Sequence, residues 1–423
     1  MPLTIKSPHS SSTAPAVFAS EPGTPRPSLS LVEKQPQVPI LALGGGVTLV
    51  GVLRILGRAH VPLYSICDQH DLATHSRWYR EPPLYSSVGL DPDDLSTYLR
   101  LLPLDRAVLL PCTDDWVKAV VSLPGYLAHQ FASSLPTPSV AFAMMDKWRF
   151  AELLEANATP HPQTSLLRSR EALESAAASI TQKTILKPLS SAAFARKHGV
   201  KGYAVTSAEE AIDLGATIDF PIMLQEYIPG PPTMNYFIDG FADRNSRICA
   251  QFARRRLRMY PPDLGNSSLM VSIPLREVDS ALESLDALLA SIRYRGIFSA
   301  EFKYDQRDGV FKILEINARP WWYIEFAARC GVDVCRFSYL DALELPVKPV
   351  HQYSVGRECV FLIQDFRAYR TLRRSSGLSL SSWVRSWASA EDTLFVWDDL
   401  GPGLSSLKSI VKSRLHPGAE PVR

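Results

Sequence analysis

The stretch Val310-Phe311-Lys312-Ile313-Leu314-Glu315-Ile316-Asn317-Ala318-Arg319-Pro320 decides how the rest of the chain is read. It follows Ile297-Phe298-Ser299-Ala300-Glu301-Phe302-Lys303-Tyr304 across Asp305-Gln306-Arg307-Asp308-Gly309. Two β-rich runs around an Asp/Gly turn predict an antiparallel hairpin. Side chains two apart in a strand share a face, so Glu315 and Asn317 point the same way. Glu301 and Glu315 are equidistant from Asp308 in the turn, so pairing sets them opposite or diagonal. Two close carboxylates repel and desolvate badly unless a cation sits between them. With an amide oxygen they form a hard-oxygen set suited to Mg2+, nucleotide phosphates supplying further ligands. Arg319 follows at once, where a guanidinium offsets charge on a phosphate. A solvated hairpin face is the plainer reading of the same spacing.

Upstream, Val278, Leu282, Leu285, Leu289 and Ile292 form one apolar stripe of an amphipathic helix. Tyr236–Asp239 and Ile248–Phe252 read as neighbouring antiparallel strands, the second running into Arg254-Arg255-Arg256-Leu257-Arg258. On a strand Arg254, Arg256 and Arg258 share a face and concentrate positive charge for an anion. No stacked-aromatic pattern accompanies them, so nucleic acid is not the expected ligand. Pro221–Tyr227 is a strand ending in Ile228-Pro229-Gly230, and Thr184–Lys187 is a strand that stops at Pro188. Lys187 either snorkels outward or faces an anion. Lys147 opens a helix over Asp146–Ala156, and taken alone a structural role is the plainer reading of each lysine.

Further upstream, Ile40–Leu43 is a short strand, followed by Gly44-Gly45-Gly46 and a helix over Val47–Leu56. Pro62–Cys67 and Ala107–Leu110 are further strands, the latter ending in Pro111-Cys112-Thr113-Asp114-Asp115 before a helix. This βαβ spacing predicts a small doubly wound parallel sheet, with the Gly triplet and Asp114 at the carboxyl ends of strands where ligands gather. Val52 stands where a P-loop needs Lys, and Leu49 where a dinucleotide fingerprint needs its last Gly.

The whole chain has 423 residues, 46% apolar, 21% charged, with net charge +2. Those values fit a globular protein and exclude collagen, coiled coil and a polybasic coat. The longest apolar stretch, Val38–Leu53, is broken by the Gly triplet and is shorter than the roughly 20 residues of a membrane span. The six cysteines lack redox or zinc spacing and read as reduced thiols of a cytoplasmic protein. Met1–Val38, with seven Pro and seven Ser, reads as a disordered tail.

Taken together, the pieces resemble the ATP-grasp superfamily over roughly residues 38–345. The carriers are the Asp146-Lys147 helix start, Leu186-Lys187-Pro188, Leu224-Gln225-Glu226-Tyr227-Ile228-Pro229-Gly230, Glu301-Phe302, and Glu315-Ile316-Asn317-Ala318-Arg319-Pro320. Each alone is weak, whereas five in order are specific. Ala253–Asp263, Leu314–Trp322 and Gly377–Leu400 further resemble carboxylate–amine ligases of the D-aspartate ligase type.

The resemblance implies a mixed α/β chain, α+β in its ATP-grasp part. It divides into a tail (1–38), a doubly wound pre-domain (39–135), a small nucleotide-covering lobe (136–228), a large lobe (229–346) and a Trp-containing C-terminal module (347–423). It implies ATP with Mg2+ or Mn2+ as cofactors. Lys147 and Lys187 would contact phosphates; Gln225, Glu226, Tyr227 and Ile228 would line the adenine slot; Glu301, Glu315 and Asn317 would hold the metal. Arg319 would steady the transferred phosphoryl group, with Arg256 and Arg258 lining the acid-substrate or phosphate side. The segment Ser190–Gly199 is longer and more basic than the usual Gly-rich phosphate loop, and the Ser190–Tyr203 loop is expected to close over the intermediate. The implied activity joins a carboxylic acid to an amine through an acyl phosphate, releasing ADP and phosphate. Carboxyphosphate chemistry of the carbamoyl-phosphate-synthetase kind and a non-catalytic ATP-binding scaffold are the alternatives. The expected substrates are small acids and amines, with cell-wall, polysaccharide or peptide precursors as options, and a homodimer is one expected assembly.

Overall fold

The computed structural model describes residues 38–84, 90–189, 202–262 and 265–415. The expected N-terminal tail and most of the Ser190–Tyr203 segment lie outside the described residues. The first sheet holds β1 (Ile40–Leu43), β2 (Leu63–Ile66), β3 (Ala107–Pro111) and β4 (Phe131–Ala132). Its strands are parallel, in the order β2-β1-β3-β4. All residues of β1 and β3 are buried, which is why both read as unbroken apolar runs instead of alternating ones. The order reverses between β1 and β3, so their carboxyl ends open a crevice at the topological switch point. The Gly triplet ends β1 there, with Gly44 and Gly46 at φ +132° and +69°, a region closed to most side chains.

A second sheet is antiparallel: β5 (Thr164–Leu167), β6 (Thr184–Pro188), β7 (Tyr203–Val205) and β8 (Ile222–Glu226), in the order β5-β8-β6-β7. Its core packs Leu186, Val205 and Ile222 against Leu173 and Ala211 of two helices, Arg170–Ala177 and Ala208–Gly215.

The third sheet is the largest. It contains β9 (Asn235–Ala242), β10 (Ile248–Tyr260), β11 (Asn266–Ile273), β12 (Gly296–Asp305), β13 (Val310–Asn317), β14 (Glu358–Val360) and β15 (Glu391–Asp392). The order is β13-β12-β9-β10-β11-β14-β15. Both faces are covered. Ile238, Phe298 and Ile316 meet Leu285 and Leu289 of the helix Asp279–Ser291, while Phe237, Phe241 and Phe252 meet Phe326 and Phe337 on the other side. Adjacent Phe237 and Ile238 thus feed opposite cores, as a period of two demands.

The hairpin and the amphipathic helix stand where the sequence reading put them. Strands β14 and β15 had no sequence signal. At three and two residues they are too short to show a period, and they extend the large sheet beyond β11. No helix among the described residues is long and apolar enough to cross a membrane.

Candidate active site

The hairpin of β12 and β13 sets the centre of the site. Glu301 pairs directly with Glu315 across it, and Ser299 with Asn317. An irregularity follows Glu301, so Phe302 pairs with Ile313 and Leu314 is skipped. Glu301 is held from two sides. Asn235 Nδ2 donates to its Oε1 at 2.9 Å and Arg256 Nη2 donates to the same oxygen at 2.9 Å. Asn235 is fixed in turn by Lys303, whose Nζ donates to Asn235 Oδ1 and to the carbonyls of Gly230 and Pro231, each at 3.0 Å. Glu315 is exposed and accepts from Asn317 Nδ2 at 3.2 Å.

Arg319 continues that chain. Its Nη2 donates to Asn317 Oδ1 at 3.1 Å. Its Nε and Nη2 reach Asp114 Oδ1 and Oδ2 at 2.6 and 3.3 Å. Asp114 begins the helix Asp114–Val121, just past the carboxyl end of β3, so the parallel sheet contributes directly to the site. Burial works against the Arg319 charge, but Asp114 and Glu315 outweigh it and raise the pKa of the guanidinium.

Lys187 faces the hairpin from β6. Burial and the neighbouring Lys147 push it down to about 8, while Glu315 and Glu301 pull the other way. Lys187 thus stands within electrostatic reach of Lys147, Glu301 and Glu315. Lys187 Nζ donates to Gln225 Oε1 at 2.7 Å, and Gln225 Nε2 donates to Thr164 Oγ1 at 3.1 Å. Lys147 opens the helix Lys147–Ala156, capped by Asp146, which accepts from the backbone N–H groups of Trp148 and Arg149. The ring of Tyr227 lies under Lys183 Nζ, 4.3 Å from its centroid, and Ile228 is buried. Glu226 turns its carboxylate toward Arg307 and Lys312 of the hairpin, which are anchored by the buried Asp305. Its side chain therefore braces β8 against the hairpin.

The arginine run resolves into three separate ion pairs instead of one open anion site. Arg254 is buried on Asp239, with Nε to Oδ2 at 2.5 Å, among the rings of Phe237, Trp321 and Tyr323. Arg256 alone joins the cleft, through Glu301 and through Ser267 Oγ at 2.9 Å. Arg258 is turned to Asp365, which takes its Nε and Nη2 at 2.9 and 2.8 Å. A bulge around Arg258 and the acid on the helix Leu362–Ser375 account for that departure from the expected acid-binding role.

Asn235, Lys303 and Asp114 are site residues that the sequence reading did not assign. Only Asp114 carried a signal, its place after a strand. Two facing carboxylates with an amide oxygen fit a hard divalent cation. Glu301 and Glu315, with Asn317 beside Glu315, are the side chains that would hold it.

No family model matches the chain. A D-aspartate ligase from Enterococcus faecium (strain Aus0004) is 22% identical over 338 residues, which is 73% of this chain and 77% of that protein. Among solved structures, N5-carboxyaminoimidazole synthetase from Staphylococcus aureus complexed with ADP aligns at TM-score 0.57 and 13% identity, over 76% of this chain and 80% of that one. An L-amino acid ligase from Bacillus licheniformis aligns at TM-score 0.53 and 13% identity, over 75% and 79%. The chain thus shares its fold with these synthetases and ligases and is similar in sequence to a D-aspartate ligase, in keeping with the ATP-grasp motif order in its sequence.

Proposed function

We propose that the protein is an ATP- and Mg2+-dependent carboxylate–amine ligase that works through an acyl phosphate. The observation that carries this is the meeting of Glu301, Glu315, Asn317 and Arg319 on one hairpin end with Lys187 from the opposite sheet. A protein that only holds nucleotide has no need of all five groups. Mg2+ or Mn2+ on the two carboxylates would neutralise phosphate oxygens. Lys147 and Lys187 would bind the phosphates, while Gln225, Tyr227, Ile228 and the backbone of Glu226 would border the base. Arg256 would receive the acid, and Arg319 the phosphoryl group in transit.

A carboxylate resists attack because oxide is a very poor leaving group. Phosphorylation by ATP replaces it with phosphate, and the amine then displaces phosphate to leave an amide. Arg258 is left out of this set because Asp365 holds its guanidinium.

The test is ADP release with Mg·ATP, pooled carboxylic acids and pooled amines. The D-aspartate ligase likeness puts aspartate, in both enantiomers, first in the acid pool. ADP that needs both an acid and an amine is the expected result, and Glu315→Ala lowers it by on the order of 10²–10³-fold. Release with bicarbonate alone would move the assignment to carboxyphosphate chemistry. ATP binding with no turnover in any pool would favour a scaffold.

A further inference from the structure

We propose that Asp114 is the binding site for the ammonium group of the amine substrate and takes its proton before attack. This rests on the ligase reading above and adds the residue that reading lacks. An amine substrate arrives as R–NH3+, which has no lone pair. One proton must leave before nitrogen can attack the acyl carbon. On that reading Glu301 and Glu315 would hold the metal, and a third carboxylate beside Arg319 would be the group left to take the proton.

Asp114 is that carboxylate. Arg319 links it to the metal set through Asn317, by contacts of 2.6 and 3.1 Å. The Asp114 side chain is 52% exposed, so it keeps lone pairs for a ligand while holding Arg319. It lies where the order of the parallel sheet reverses, in the crevice between the ends of β1 and β3. A Cβ on Gly44 would come within 3.1 Å of Cys112 and Thr113, which shows how closely those two strand ends meet. In many such sheets a phosphate docks on the first helix at this point. Here the place is filled from within, since Asp71 Oδ2 accepts the Gly46 N–H at 2.7 Å. A Cβ on Gly45 would stand 2.3 Å from that oxygen. The Gly46 N–H is thus already taken, and Asp114 is the carboxylate that this strand end presents.

The balanced step is a proton transfer from R–NH3+ to Asp114, then attack by R–NH2 on the acyl phosphate. The C–N bond forms, the C–O bond to phosphate breaks, and phosphate leaves with the electron pair. The remaining excess N–H proton goes to phosphate. Hydroxylamine separates this role from the holding of Arg319. It is a neutral nucleophile at working pH and needs no base beforehand.

Wild type, Asp114→Asn and Asp114→Glu are compared with Mg·ATP and the acid pool, with either the amine pool or hydroxylamine, reading amide or hydroxamate and ADP. Asp114→Asn is expected to lose about 10²–10⁴-fold with amines and under about tenfold with hydroxylamine, with partial rescue by Asp114→Glu. Equal large losses with both nucleophiles, in a folded variant, would make Asp114 only the holder of Arg319 and overturn the proposal. Retention of both activities would overturn it too. A wild-type protein silent with hydroxylamine and with every amine would overturn the ligase reading, and Asp114 would fall with it.

Discussion

Lys187 carries a cost before any nucleotide arrives. Burial and Lys147 lower it to about 8 from the ordinary 10.5. An unfolded chain therefore holds this proton more tightly than the folded one. Between pH 8 and 10.5 the unfolded state binds more protons, so this group makes stability rise with pH across that window. Its full cost is present below pH 8. Phosphate oxygens favour the ammonium form, so nucleotide binding near pH 8 raises the pKa and takes up a proton. Calorimetry of Mg·ADP binding in two buffers of different ionisation enthalpy reads that uptake directly. Fractional proton uptake is expected from wild type and none from Lys187→Met. Uptake that persists in the variant would remove Lys187 from the phosphate site.

At the scale of elements, two arginines two residues apart do different work. Arg256 on β10 faces the cleft through Glu301, while Arg258 anchors the helix Leu362–Ser375 through Asp365. Asp365 is fully buried and also accepts from Ser268 Oγ and Trp383 Nε1, both at 2.7 Å. Arg258→Met leaves that carboxylate underpaired, with an expected loss of about 3–5 kcal/mol in chemical denaturation. The protein that remains folded keeps its Michaelis constant for acid. Arg256→Met has the opposite profile, a raised Michaelis constant and a smaller stability loss. A rise in that constant for Arg258→Met would return Arg258 to the acid site. The hairpin was legible because a period of two and an Asp/Gly turn survive in any context, and they brought Glu301 opposite Glu315. The Arg258–Asp365 pair was not, because its partners are 107 residues apart and its bulge leaves no local mark. The Asp114–Arg319 contact spans 205 residues and was equally hidden.

Across the whole molecule, one buried guanidinium joins the two ends of the described chain. Arg54, on the helix Gly46–Arg58 that follows the Gly triplet, is fully buried. Its Nε donates to Asp399 Oδ2 at 2.9 Å, and its terminal nitrogens donate to Glu325 and to the carbonyls of Thr393, Leu394 and Asp399. Glu325 lies in the first turn of the helix Ile324–Cys330 that follows the hairpin and Arg319. The helix behind the Gly44–Gly46 crevice, the segment after Arg319 and the C-terminal segment are thus fixed to one point. That point has a function if Asp114 and Arg319 must meet across two sheets, because angstrom-scale drift between them separates the proposed amine site from the acyl phosphate. Arg54→Met would strip Asp399 and Glu325 of a buried cation and lower stability by about 3–5 kcal/mol. It would also lower turnover with amines more than turnover with hydroxylamine, since the former needs Asp114 as base as well as for its hold on Arg319. Adding Asp399→Leu removes the stranded carboxylate and restores part of the stability without restoring the alignment. Stability recovered together with full amine turnover would show that the tether serves folding alone.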